Sequence, residues 1–155
     1  MAELKAIKID NAAWLPQIAE HIQRFCQRAH VEGIQASNLQ TYFAQVAQGW
    51  YGRDAAEFWM VFEDDKPVAF ASWQVLGLPH IAKVYCFGVH SWTKNKQAVE
   101  MIVDEWIKFG ERWKARWWSA DFVGKAVLHL FESKMKKRGF EATESGLTNI
   151  VFAKQ

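Results

Sequence analysis

Residues 80–90 read HIAKVYCFGVH, residues 91–97 read SWTKNKQ, and residues 98–115 read AVEMIVDEWIKFGERWKA. The first piece is apolar, β-branched or aromatic for most of its length, the composition of a buried strand. In the last piece Val99, Ile102, Trp106, Phe109 and Trp113 recur at steps of three and four, so they line one face of a helix. The largely polar, basic residues between them form a loop. A strand that feeds a helix through such a loop brings backbone N–H groups and the positive end of the helix dipole to one point. That point suits a phosphate.

Upstream of this unit, EFWMVFE (57–63) and PVAFASWQV (67–75) are two strand-like runs, with Asp64, Asp65 and Lys66 as the turn between them. Pro67 opens a strand, where its missing N–H removes no ladder bond. Further back, LKAIKI (4–9) is a short strand, and Asp10 and Asn11 offer helix caps. Trp14, Ile18, Ile22 and Phe25 then predict a helix to about Ala29. Ser37 with Gln40 resembles a capping box, and Leu39, Tyr42, Phe43, Val46 and Trp50 follow at helical spacing. Downstream, RWWSADF (116–122) is a strand, and Val127, Leu128, Phe131 and Met135 mark a helix over residues 125–138. Gly139 is its αL stop. Residues 140–143 and 148–153 are two last strands around a turn at Ser145 and Gly146. The order is β-α-α-β-β-β-α-β-α-β-β. It predicts one α/β (α+β) domain over residues 1–155, a central mixed twisted sheet of six to seven strands with helices on both faces.

Composition supports a packed soluble domain. Nine Trp and eleven Phe make a core of large rings, and a formal charge of +2 gives no argument for nucleic acid. Cys26 and Cys86 sit in apolar contexts and read as reduced core residues, which points to the cytoplasm. The first ten residues hold no apolar signal region. No apolar run approaches the length of a membrane span. The five His and two Cys show no metal-ligand spacing.

The element order resembles the GNAT (GCN5-related N-acetyltransferase) superfamily from end to end. Gly88-Val89-His90-Ser91 looks like the family's strand end before its pyrophosphate loop. Lys136-Lys137-Arg138-Gly139-Phe140 resembles its junction into the last hairpin. The resemblance implies acetyl-CoA as acyl donor, its pantetheine along the central strand at Val89 and His90, its pyrophosphate on the loop and helix start. The loop pattern, laid on this chain, runs from Lys94 through Asn95 and Lys96 to Gln97, Ala98 and Val99. Gln97 and Val99 stand where the family has glycine and glycine or alanine. Glycine permits close backbone approach to a diphosphate; Val99 is expected to crowd that space, and Lys94 and Lys96 to supply charge. Met135 stands where many members carry a Tyr that protonates departing CoA, and a thioether has no proton to give. Leu128 falls near an expected asparagine. The segment FVGKAVLHLFESKMKKRGF (122–140) is similar in style to degenerate GNAT-like domains encoded by tailed bacteriophages.

For amine attack on a thioester, a base and a polarised carbonyl are needed. Glu63 and His80 are base candidates at strand ends, although the plainer reading of each is an edge residue. His90 is a phosphate ligand or base, or a strand-end His held by backbone. Asp121 binds an amine or caps the next helix. Tyr85 replaces the missing phenol if its ring meets the cleft. Arg112 to Trp118 interleave bases and rings, which reads more simply as a helix end followed by a buried strand. Lys134, Lys136, Lys137 and Arg138 complement a helix dipole without any ligand. Two functions follow. One is an acetyl-CoA-dependent N-acetyltransferase acting on a small-molecule or protein amine. The other is a non-catalytic interaction or virion-associated protein with a phage or host protein partner, in the bacterial host cytoplasm.

Overall fold

The computed structural model describes residues 3–9, 56–76, 83–91, 95–121, 125–145 and 149–154. The two helices expected before residue 51, His80 and Lys94 lie outside the described residues. The strands are β1 (Leu4–Lys8), β2 (Ala56–Glu63), β3 (Lys66–Leu76), β4 (Lys83–Ser91), β5 (Trp117–Asp121), β6 (Phe140–Ser145) and β7 (Asn149–Lys154). The helices are α1 (Lys96–Arg112) and α2 (Lys125–Lys137). One seven-stranded sheet runs in the order β1-β2-β3-β4-β5-β7-β6. Every neighbouring pair is antiparallel except β4 and β5.

The β2–β3 hairpin is tighter than its sequence implies. Glu63 pairs directly with Lys66, and only Asp64 (φ 48°) and Asp65 (φ 68°) form the turn. Two left-handed residues are what a type I′ turn requires, and short polar Asp tolerates that region. The turn also meets β1: Asp64 Oδ1 accepts from the Glu3 amide at 3.0 Å.

Both faces of the central strands are buried. Val61, Ala69, Ala71, Trp73, Val84 and Cys86 join the core beneath α1. On the opposite face Phe58, Met60 and Phe70 are wholly buried too, with the rings of Phe58 and Phe70 stacked at 5.8 Å. This double burial explains why these strands read as near-continuous apolar runs. The stripe of α1 faces the sheet as its spacing implies, widened by Ala98, Val103, Ile107 and Gly110. Trp113, at the C-cap, is half-buried and still packs against this core. Trp106 is fully buried and meets Phe131 of α2 at 5.4 Å and Phe152 of β7 at 6.4 Å. At Gly110 a Cβ would lie 2.3–2.4 Å from the Trp118 ring, so only glycine lets helix and ring approach this closely.

α2 lies beside α1, joined to it by ion pairs. Glu100 of α1 accepts from both Lys134 and Arg138, and Asp104 accepts from Arg138 Nε at 2.7 Å. Gly139, at φ 84°, ends α2. Among the described residues no helix is long and apolar enough to cross a membrane.

Candidate functional site: a fork between two parallel strands

β4 and β5 run in register from Lys83 opposite Trp117 to Cys86 opposite Ala120, and there their pairing stops. β4 continues to Ser91 paired with β3 alone, while Asp121 pairs with Asn149 of β7. The cause lies in the β3–β4 ladder. Ser72 faces Gly88 and Trp73 faces Cys86, so Phe87 is an extra residue in β4. Such a bulge bends its strand and increases the local twist, which carries β4 away from β5. The result is a fork at the carboxyl ends of the one parallel pair, where ligands of open α/β sheets gather. Among the described residues, the arm of β4 from residue 87 to 91 has no strand partner on its β5 side. Gly88 was the sequence signal for this feature, because a glycine inside a strand marks a bulge or a close approach.

α1 begins beside the fork, two residues earlier than its apolar spacing indicates. Asn95 is the N-cap: its side chain accepts from the Gln97 amide at 3.0 Å. Its carbonyl accepts from the Ala98 amide at 3.2 Å. Lys96 and Gln97 are exposed at the helix tip. Ala98 and Val99 turn inward and belong to the core, so the Val99 side chain packs beneath the helix. Val89 and His90 lie on the β4 arm of the fork, opposite Ala71 and Phe70 of β3.

The catalytic candidates scatter. Tyr85 is one residue before the last β4–β5 pair, between Gln74 and Ser119. It alternates with Val84 and Cys86, which pack under α1, so it is on the opposite sheet face, half-buried. Glu63 ends β2 at the hairpin, with β3 between it and β4. Asp121 ends β5, the other arm of the fork. Met135 is wholly buried in the core shared by Trp106, Phe131 and Phe140. The space at that position of α2 is filled by apolar packing.

Sequence reading passed over Glu57, a carboxylate of β2 only 3 % exposed. Its Oε1 accepts from the indole N–H groups of Trp59 (3.0 Å) and Trp73 (3.1 Å). Its Oε2 meets Arg112 of α1 at 2.8 Å and Lys8 of β1 at 3.2 Å. Burial alone would push this carboxyl up. The hydrogen bonds from Trp59, Arg112 and Trp73 and the charge of Lys8 outweigh it, and the group is held below the ordinary carboxylate range. A lone Glu in the apolar run AEFWM was the available signal, since such a charge must find partners. Arg112 is thereby committed to an ion pair, as are Lys134 and Arg138 to α1. Among the described residues no three His, Cys, Asp or Glu side chains gather as a metal site needs.

No family model matches the chain, and no curated protein sequence matches it significantly. Solved structures do. An acetyltransferase from Streptococcus agalactiae superposes with a TM-score of 0.66 at 15 % identity, over 97 % of each chain. An acetyltransferase of the GNAT family from Streptococcus pneumoniae superposes at 0.58 and 14 % identity, over 98 % of this chain and 99 % of that one. The chain has the GNAT fold. A predicted acetyltransferase from Clostridium acetobutylicum, solved with acetyl-CoA, shares this GNAT fold at 0.61 and 14 % identity, over 95 % of this chain and 94 % of its own. At such identities the likeness is one of fold alone.

Proposed function

We propose that this GNAT-fold chain is an acyltransferase that takes an acetyl group from acetyl-CoA at the β4–β5 fork and passes it to an amine. The observation that carries the reading is the fork itself. A strand arm that has no partner on its β5 side among the described residues suits the amide-bearing pantetheine chain. The tip of α1, with Lys96 and Gln97 exposed, stands close by for an anion. Val99 does not obstruct the tip, because its side chain is in the core. Asn95 does compete there, since it already occupies the Gln97 amide. Donor binding is therefore weak and depends on the loop lysines, Lys94 and Lys96.

In the transfer the amine nitrogen bonds to the thioester carbonyl carbon as the C–S bond breaks. The amine gives up a proton and the departing thiolate takes one. Of the catalytic candidates within the described residues, Tyr85 is beside the fork and Glu63 is not, so the Tyr85 phenol is the group assigned to proton transfer. Acetyl-CoA bound at 100 times its Kd should stabilise the native state by about 2.7 kcal/mol. A rise in melting temperature, with acetyl transfer to a simple amine that falls in Tyr85→Phe, is the expected result. No rise at millimolar acetyl-CoA would sink the proposal.

The burial of Met135 favours a second reading, a non-catalytic domain on the same fold that binds a phage or host protein. A thermal shift without any turnover would support it.

A further inference from the structure

Apolar burial holds α1 on the sheet, but it is non-directional and does not by itself set the axial position of a helix. Packed helices shift by about 1–2 Å in ordinary transitions. Directional contacts, together with the close approach of Gly110 to the Trp118 ring, therefore fix where α1 begins. Several exist: the Trp118 indole N–H of β5 donates to the Trp106 carbonyl at 3.3 Å, and Lys154 of β7 meets Glu111 at 3.1 Å. Glu100 and Asp104 also meet Lys134 of α2 and Arg138 just past its end. In the last turn of α1, Arg112 meets Glu57.

The Arg112–Glu57 contact is the one that refers α1 to the β1–β3 side of the sheet. Glu57 is nearly fully buried, and two indole N–H groups hold its other oxygen, so the carboxylate is a fixed point. Its place is informative. Glu57 pairs with Trp73, Trp73 with Cys86 and Cys86 with Ala120. That row is the last one before β4 and β5 part. This anchor of α1 thus stands on the row at which the fork opens. We infer that Glu57, acting through Arg112, is a positioning residue that, with the contacts of Trp106, Gly110 and Glu111, fixes the axial place of α1 and so sets its N-terminus against the fork. The consequence for ligand affinity rests on the acyl-donor reading above; the consequence for the helix does not.

The test compares two variants that each remove one cation from the same carboxylate. Arg112→Met removes the contact made by α1, and Lys8→Met the contact made by β1. The two side chains are 59 % and 36 % exposed, so neither substitution opens a core cavity. In the ligand-free protein, amide NMR shifts and hydrogen exchange are read at residues 98–102, about 15–20 Å along the helix from Arg112. We expect them to move in Arg112→Met and to stay in Lys8→Met, with acetyl-CoA affinity falling severalfold in the first alone. Equal changes in both variants, or none at residues 98–102 in either, would overturn the inference. Wild-type protein that fails to bind acetyl-CoA would refute the acyl-donor reading, and the amide data would still decide the positioning of α1.

Discussion

Single residues here are settled by what surrounds them. Met135 illustrates this. The resemblance casts it as a lost acid, and restoring a phenol is the natural experiment. Its side chain is wholly buried, however, so a Tyr must be forced into a filled core. Met135→Tyr should destabilise the protein by about 1–3 kcal/mol, the usual range for overpacking, without raising acetyl transfer. Urea unfolding and a transfer assay on one preparation check both halves, and faster transfer at unchanged stability would show that the site has room. Trp106 makes a second case. Its indole N–H is buried with no hydrogen-bond partner among the described residues. Trp106→Ala should cost about 3–5 kcal/mol, as large aromatic truncations do. Trp106→Phe keeps a ring against Phe131 and Phe152 and removes the unsatisfied donor, so it should cost less than half as much in the same denaturation experiment.

At the scale of elements, α1 carries the argument. Gln97 and Val99 are both non-glycine where the family pattern expects small residues, yet they differ in kind. Gln97 is exposed at the helix tip, and Val99 is part of the core. Gln97→Gly should therefore cost at most about 1 kcal/mol of helix propensity and is the change able to improve donor affinity. Val99→Gly adds lost burial to the same propensity penalty and should only destabilise. Calorimetry with acetyl-CoA on the two separate variants decides it; a gain in affinity from Val99→Gly would contradict the inward placement. The same helix explains Gly110. A methyl there would lie within 2.4 Å of the Trp118 ring, so Gly110→Ala, which raises helix propensity, should still lower the melting temperature.

At the scale of the molecule, two carboxylates tie layers together. Glu57 joins β1, β2, β3 and α1, and Glu100 joins α1 to α2. Burial raises the Glu100 carboxyl, but hydrogen bonds from Lys134 and Arg138 and their charges bring it below the ordinary value, as at Glu57. A carboxyl whose folded pKa is depressed adds stability above its unfolded value. That stability disappears as pH falls through the folded one. The unfolding midpoint should therefore hold on the neutral side of about pH 4.5 and drop below it. In Glu57→Gln the drop should be shallower. Denaturant titrations at neutral pH and at two acidic values measure both slopes, and a wild-type midpoint indifferent to acid would show that these pairs contribute nothing net.

Much of this was legible in the chain itself. The strand β4 followed by α1, the α1 stripe, the order of the described elements and the stop at Gly139 depend on local periodicity and turn chemistry, which are written residue by residue. The paired left-handed Asp64 and Asp65 are of the same kind, although the turn closes one residue sooner than expected. What only tertiary structure decided concerns partners distant in sequence. The bulge at Phe87 exists relative to β3, and the fork exists because that bulge ends the pairing with β5. Glu57 is a fixed anchor only once Lys8, Trp59, Trp73 and Arg112 converge on it. Met135 and Val99 carry no mark in the sequence that separates a side chain lining a cleft from one filling a core. Periodicity tells which face of a helix is apolar; the helix's docking on sheet and neighbour decides what that face touches.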